Sequence, residues 1–597
     1  MNHIRFDIVF IFVLLLCAGR QASGNDVKKL SVRSVSFMGN AAFMDSRLRG
    51  LMLTRPAAFL SPSKYHPEVL ADDLANILIF YRQNGYLEAA LIDTSVSIDS
   101  VDGKVDITIG INEGELTRVE DVTIFGNEFF SDSTVLSLVR FRRGDPLKRP
   151  LIENAVSSIL SSYAENGFID ASVTPEVKIN SESHLAMVDF LIKEKYRSAV
   201  DSVVITGLEK TRGKVVRREL QFRSGEYVKY SRLLDSQRNL YLTGLFESVF
   251  IRAIPNAEND STKKNILIEI KEKKSSEFAF SLGYASIEKI RGRIELNTDN
   301  LRGTARKTGI AIEANFIKQG IMGSFSDPWT FGTRWQTDLN LFFQLRQEPG
   351  YDAKTYGGKI TVGRKLSPFT KLSQSYRFEN TRLSNVKIIE EELDIDPRIR
   401  SLILTLSHDT RDNLFNSQKG NYIAWSNELA GSFLQGSNTF VRSILVTKRF
   451  RPLGRESVLG SALEIGWMDS FGSDEEIPLN ERFYTGGPIS LRGFGYQLVG
   501  PLDAEGEPVG GKFKVVWNVL ELRRSIYRIL GGAVFIDAGN VWTDIKSAHF
   551  KDIRYDIGLG LRLNSPIGIA RLDYGFNVDP EADEASGKLF LGMGQAF

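Results

Sequence analysis

The 597-residue chain sets 75 Lys and Arg against 73 Asp and Glu, a net charge of +2, so no basic field is present to hold nucleic acid. Five His and one Cys leave too few soft ligands for a metal site built on them, and no cofactor is expected. Beyond the N-terminus no apolar run approaches the ~18 residues that a spanning helix needs. Barrel strands, apolar on one side only, escape that criterion.

In chain order, Arg5, the apolar run Ile8 to Leu16 and the small residues Ala22, Ser23 and Gly24 predict a signal peptide over 1–24, cleaved after Gly24. Leu16 stands where a lipoprotein signal wants a small residue before Cys17. Export is the implied destination.

Three copies of one module follow. Ser34-Val35-Ser36-Phe37-Met38-Gly39-Asn40 is echoed by Asp121-Val122-Thr123-Ile124-Phe125-Gly126-Asn127 and by Ser202-Val203-Val204-Ile205-Thr206-Gly207. The glycines stand 87 (39 to 126) and 81 (126 to 207) positions apart. Each start is an alternating strand closed by a turn. Leu70, Leu74, Ile77, Leu78 and Tyr81 share one helix face, as do Ile152, Val156, Ile159 and Tyr163. Tyr81…Gly85, Tyr163…Gly167 and Tyr241…Gly244 end the helices on glycine, the residue that a left-handed cap requires. Val105, Ile107, Ile109, then Val188, Phe190, Ile192, then Ile266, Ile268, Ile270 close the copies as alternating strands. The boundaries predicted are 25–114, 115–198 and 199–275, each a small α+β unit. Exposed sheet edges in such units accept an added strand from a client chain.

From Ser275 to Phe597 helical spacing gives way to period-two alternation. Thr337, Leu339, Leu341, Phe343 and Leu345 alternate with Gln336, Asp338, Asn340, Phe342 and Gln344; Ile557, Leu559, Leu561 and Leu563 alternate with Asp556, Gly558, Gly560 and Arg562. Ala570, Leu572, Tyr574 and Phe576 interleave with Arg571, Asp573 and Gly575. A charged row opposite a bulky apolar row suits strands with lipid outside and water inside, closed so that every backbone group is satisfied. At about twenty residues per crossing and turn, 276–597 accommodates about 16 antiparallel strands. Asn300-Leu301-Arg302-Gly303-Thr304 and Gln418-Lys419-Gly420-Asn421 mark turns, and Leu589, Leu591 and Met593 continue the alternation toward Phe597.

Glu481-Arg482-Phe483-Tyr484-Thr485-Gly486-Gly487-Pro488, followed by Leu491-Arg492-Gly493-Phe494, resembles the BamA/TamA-type outer-membrane assembly family. Phe535-Ile536-Asp537-Ala538-Gly539 and Asn518-Val519-Leu520-Glu521-Leu522-Arg523 add to the likeness, and the repeats are similar to that family's polypeptide-transport-associated (POTRA) domains. Three repeats correspond to the TamA layout more than to BamA, which usually carries five. The resemblance implies an outer-membrane barrel with periplasmic repeats that captures unfolded outer-membrane or secreted clients among outer-membrane lipids. A periplasm-spanning partner or accessory lipoproteins would accompany it. It also implies that Arg492, on a loop tip with Leu491, Gly493 and Phe494, folds into the lumen to meet Asp537 and Glu521, beside Phe535 and Gly539. A lateral seam is expected between a first strand around Phe278, Gly283 and Tyr284 and a last strand carrying Leu589, Gly592, Gly594 and Phe597. Its glycines either weaken the strands or simply fit the barrel interior.

Enzymatic constellations are wanting. His408-Asp409-Thr410-Arg411-Asp412 reads as a strand end and turn, Gly357-Gly358-Lys359 lacks the spacing and hydroxyl of a phosphate loop, and no Gly-x-Ser-x-Gly elbow occurs. The runner-up reading is a two-partner-secretion translocator that exports an exoprotein through the lumen. That branch usually has two repeats and an N-terminal plug helix, for which the ten or so residues before the first repeat are too few.

Overall fold

A computed structural model of the chain describes residues 30–56, 64–258, 260–388, 393–454, 456–472, 476–565, 568–582 and 584–597; the expected signal peptide lies outside them. The first repeat comprises β1 (Ser31–Met38), α1 (Asp45–Leu51), α2 (Pro67–Gln83), β2 (Ala90–Asp99) and β3 (Lys104–Asn112). The second comprises β4 (Arg118–Phe125), α3 (Asp132–Leu136), α4 (Arg149–Glu165), β5 (Ser172–Asn180) and β6 (Leu185–Lys193). The third comprises β7 (Ala199–Thr206), α5 (Gly213–Arg217), α6 (Tyr230–Leu242), β8 (Phe246–Pro255) and β9 (Lys263–Glu272). In every repeat the last strand is central, giving the orders β1-β3-β2, β4-β6-β5 and β7-β9-β8. In the first two, a hairpin makes the neighbouring pair antiparallel, while the helical crossover lets the first strand run parallel to the centre.

The repeated glycine has a steric cause. Gly39, Gly126 and Gly207 adopt φ of +81°, +80° and +84°, and a Cβ there would come within 2.1, 2.2 and 1.9 Å of the carbonyl oxygens of Ile111, Ile192 and Ile270. One glutamate at the end of each central strand then gathers the loop that follows. Glu113 accepts from Ala42 N at 2.9 Å, Glu194 from Glu128 N at 2.7 Å and Glu272 from Thr211 N at 2.9 Å. The buried Tyr81 and Tyr163 hydroxyls donate to Glu113 and Glu194 at 2.9 and 2.7 Å. The third repeat departs from the expected equivalence: Leu240 takes the buried place and Tyr241 is turned outward. Its glycine follows the tyrosine by three residues rather than four, which rotates that side chain off the buried face.

The remaining strands form a single sheet in chain order. They are β10 (Ser276–Ala285), β11 (Lys289–Leu301), β12 (Arg306–Ala314), β13 (Lys318–Asp327), β14 (Gln336–Gln347), β15 (Asp352–Lys365), β16 (Thr370–Ser384) and β17 (Arg398–Asp409). Then come β18 (Gly420–Ala430), β19 (Phe440–Pro452), β20 (Ser457–Ser470), β21 (Phe513–Tyr527), β22 (Leu530–Trp542), β23 (Arg554–Ser565), β24 (Gly568–Asn577) and β25 (Gly587–Met593). All sixteen run antiparallel to their neighbours, as expected. On β23 the apolar row Ile557, Leu559, Leu561 and Leu563 is exposed while Asp556 and Arg562 are buried. That inverts a water-soluble core and matches a lipid-facing exterior.

Residues 204–221 belong to the same compact unit as the barrel. There the β11–β12 turn is docked: Asn300 Nδ2 donates to Thr211 Oγ1 at 2.8 Å, and Arg212 N donates to the Gly303 carbonyl at 2.9 Å.

The sheet nearly closes on itself. Ser286, just past β10, donates from its N–H to the Leu591 carbonyl at 2.9 Å, and Leu591 N donates to Ser286 Oγ at 2.6 Å. No further ladder joins β10 to β25 among the described residues. The last strand ends at Met593 rather than reaching Phe597. Gly594 turns the chain with φ +84°, and Phe597 folds in to stack on buried Phe450 at 6.0 Å between centroids. An aromatic stack and the Arg523 guanidinium 5.3 Å from the Phe597 ring take the place of lipid contact.

Candidate functional site

Strands β20 and β21 are joined by the long segment 471–512. Counting strands from the rim where β10 begins, this link falls on the opposite rim. Yet its side chains are among the most buried in the barrel. Arg492 has 0% of its surface exposed. Its Nε and Nη2 donate to the two Asp537 carboxylate oxygens on β22 at 2.7 and 2.9 Å, a bidentate fork. Nη1 donates to Glu521 on β21 and lies 3.7 Å from Asp573 on β24. The guanidinium carbon sits 3.4 Å from the Phe535 ring centroid, adding a cation–π contact without water between them.

The flanking residues make this approach possible. Gly493 N donates to Asp556 on β23 at 2.9 Å, and a Cβ on Gly493 would stand 2.5 Å from Asp556 Cβ. A Cβ on Gly539 would stand 2.4 Å from the Val515 carbonyl and 3.1 Å from Leu491. Leu491 and Phe494 are buried together with Val499 and Val516. The eight residues expected at this lumenal site therefore meet in one place.

Sequence reasoning missed the outer ring of the cluster. Asn518 Nδ2 donates both to Asp537 at 2.8 Å and to the Ser490 carbonyl at 2.9 Å. Arg523 holds Glu521 at 2.6 Å, Arg571 holds Asp573 at 3.1 Å, and Arg562 also reaches Asp573. The cluster thus pairs four arginines (492, 523, 562, 571) with three carboxylates (521, 537, 573), which limits the cost of keeping ions out of water, while Asp556 makes no ion pair among the described residues and accepts from Gly493 N. Arg571 and Asp573 stood in the inner row read from the sequence; Asp556 and Arg562 did too, without their partners.

Also unforeseen is an anchor on the descending arm of the loop. Glu481, 4% exposed, accepts from Arg377 on β16 at 3.2 and 2.9 Å and pairs with Arg442 on β19 at 3.1 Å. Glu428 on β18 bridges both arginines, at 2.8 Å to Arg377.

The seam residues are less tightly gathered. Phe278 and Tyr284 lie on the exposed face of β10 with Phe280 and Leu282, and Leu589 on that of β25 with Leu591 and Met593. Gly283 and Gly592 lie on the inner rows, Gly592 beside Arg571, whose Nε a Cβ would approach to 3.3 Å. Gly594 and Phe597 have left the strand. At the strand-end cluster, Arg411 pairs with Asp409 at 2.7 Å, closing the turn after β17.

Fold and site together define a sixteen-stranded membrane barrel with an in-folded, arginine-tipped loop, preceded by three α+β repeats. An Omp85 superfamily domain matches residues 300–597, and a surface antigen variable number repeat (POTRA) matches 30–114, 117–195 and 198–273. The chain is 22% identical to the outer membrane protein assembly factor BamA of Nitratidesulfovibrio vulgaris, covering 95% of this chain and 74% of the relative. It is 24% identical to that of Neorickettsia risticii, covering 92% and 76%. The crystal structure of Haemophilus ducreyi BamA lacking POTRA domains 1–3 superposes with a TM-score of 0.71 at 20% identity, covering 80% of this chain and 99% of that one. The chain belongs to the Omp85 superfamily, in the group of BamA-type outer-membrane assembly factors. It is an outer-membrane protein with periplasmic repeats, and its family is not one of enzymes.

Proposed function

We propose that the chain inserts client proteins into the outer membrane through the gap between β10 and β25, having received them on its repeats. The observation that carries this is the free edge of β10. Among the described residues one, Ser286, ties it to β25, while unpaired backbone N–H and C=O groups of a barrel strand in lipid demand a partner. A client strand adding there satisfies them, and β10 serves as template. Behind the gap lies a cavity of about 340 Å³, lined among others by Tyr284, Arg291, Ile489, Arg571 and Leu591.

On the repeats, the outer edges of β1, β4 and β7 carry short bridges to Lys64, Pro146 and Tyr227. The opposite edges, on β2, β5 and β8, carry no bridge among the described residues and are the ones suited to strand addition. The Arg492 cluster locks the loop inside the barrel, a structural rather than chemical role. A periplasm-spanning protein or accessory lipoproteins would deliver clients, and outer-membrane lipids would receive them.

The test is a seam disulfide between Ser286→Cys and Leu591→Cys in protein reconstituted into liposomes. Oxidised protein should stop inserting a barrel client, and reductant should restore insertion. Full insertion by the oxidised form rejects the seam route.

A further inference from the structure

The β20–β21 loop is fixed at two places of opposite polarity. At its tip it presents a cation, Arg492, to carboxylates on β21 and β22. Eleven residues earlier it presents an anion, Glu481, to arginines on β16 and β19. In the strand order, β16–β19 stand across the barrel from the β10/β25 gap, whereas β21–β24 lead directly into β25. The loop therefore ties the wall opposite the gap to the wall beside it.

The two ends differ in what their release would strand. Asp537 has no ion-pair partner but Arg492 among the described residues, so withdrawing the tip leaves a fully buried carboxylate without its cation. If Glu481 withdraws, Arg377 and Arg442 both retain Glu428. A buried charge left without a partner costs several kcal/mol, whereas one that keeps a partner does not incur that penalty. Release is thus cheap at one end only.

We infer that the loop is a two-ended brace whose releasable anchor is Glu481, a positioning residue that holds the gap-side wall through Arg492. This rests on the seam reading proposed above and deepens it: the brace sets how often the gap parts. Leu479, buried among Tyr351, Ala353, Leu383 and Ile388, guides the arm back into place.

The test uses the full chain in lipid, comparing Glu481→Gln, Glu481→Asp and Arg492→Ala by hydrogen exchange of peptides spanning 476–486 and 488–495. Glu481→Gln should speed exchange over 476–486 about tenfold while leaving 488–495 and heat-modified gel mobility as in the parent. Glu481→Asp should recover part of the protection, and Arg492→Ala should loosen both segments. Unchanged exchange over 476–486 overturns the anchor. So does loosening that spreads equally through 488–495 with loss of heat-modified mobility, because Glu481 would then be a general folding residue. The seam is read separately, from the rate at which Ser286→Cys and Leu591→Cys form their disulfide in the Glu481→Gln background. A severalfold slower rate supports the brace. A freed arm with an unaltered rate retains Glu481 as anchor and rejects its coupling to the gap.

Discussion

Strands β3 and β23 carry much the same apolar alternation and put it to opposite use. In the first repeat Val105, Ile107, Ile109 and Ile111 are buried against helices, and the residues between them face outward. In the barrel Ile557, Leu559, Leu561 and Leu563 face outward, while Asp556 and Arg562 are buried. Period two tells where a strand's two faces lie and is silent about which face meets water. The second row decides. Asp, Gly, Gly and Arg on β23 build a lumen in which small residues make room for ions: a Cβ on Gly560 would come within 2.1 Å of the Asp573 carboxylate and 2.4 Å of the Arg562 guanidinium. The repeats are held by dispersion and burial, the barrel interior by matched charge, so the two should fail differently.

The largest effect is expected where the barrel's charge matching is broken. Arg492→Ala leaves Asp537 and Glu521 short of a buried partner, a loss of about 3–5 kcal/mol, while Arg492→Lys gives up the bidentate fork and recovers part of it. Urea titration of heat-modified mobility in vesicles should show a lower midpoint for Ala than for Lys. A parental midpoint for Arg492→Ala would mean that the lumenal ions contribute nothing to barrel stability.

A smaller and sharper contrast comes from removing the same side chain on the two sides of the comparison. Leu240→Ala in the third repeat empties a site with no exposed surface and should cost about 2–5 kcal/mol, transfer plus cavity. Leu559→Ala, on a face 59% exposed, loses only the transfer contribution, roughly 2 kcal/mol at about 0.8 kcal/mol per carbon, because acyl chains fill the gap. Denaturant unfolding followed separately for repeats and barrel gives both numbers. If Leu559→Ala costs more than Leu240→Ala, protein rather than lipid packs against that row.

How far the site was legible follows from the same physics. Arg492, Asp537 and Glu521 could be placed from a Gly-flanked arginine and two inner-row acids within one family-like pattern, 29 residues separating 492 from 521 and 16 separating 521 from 537. Glu481 was visible only as a letter of that pattern. Its partners Arg377 and Arg442 lie 104 and 39 positions upstream, and nothing local marks an arginine on a barrel strand as the receiver of a loop carboxylate. Asp556 and Arg562 were assigned to the correct wall without partners, because alternation gives a face but not a neighbour across the lumen. Two small backbone events, a glycine one residue early after Tyr241 and a left-handed turn at Gly594 before Phe597, decide where those two side chains lie. Pattern continuity hides both.

The finest effect concerns the loop-gathering glutamate of the third repeat. Burial pushes the Glu272 carboxyl upward, but N–H donors from Thr211, Glu209 and Lys210 and the Thr211 hydroxyl outweigh it and hold it below the ordinary value. A carboxyl lowered in the folded state contributes stability that is fully present above its unfolded value, about 4.3. That contribution is lost as pH falls through the lower folded value. Exchange protection of the 209–211 amides, corrected for intrinsic rates, should therefore hold from pH 7 to about 5 and fall below about 4, with the helices of the same repeat little affected. Glu272→Gln should show weaker protection at neutral pH and no such fall. Since Lys210, Thr211 and Arg212 also meet the Asn300–Gly303 turn, acid should loosen that turn in step. If it keeps its protection at pH 3.5 while 209–211 lose theirs, the turn is held from the barrel side alone.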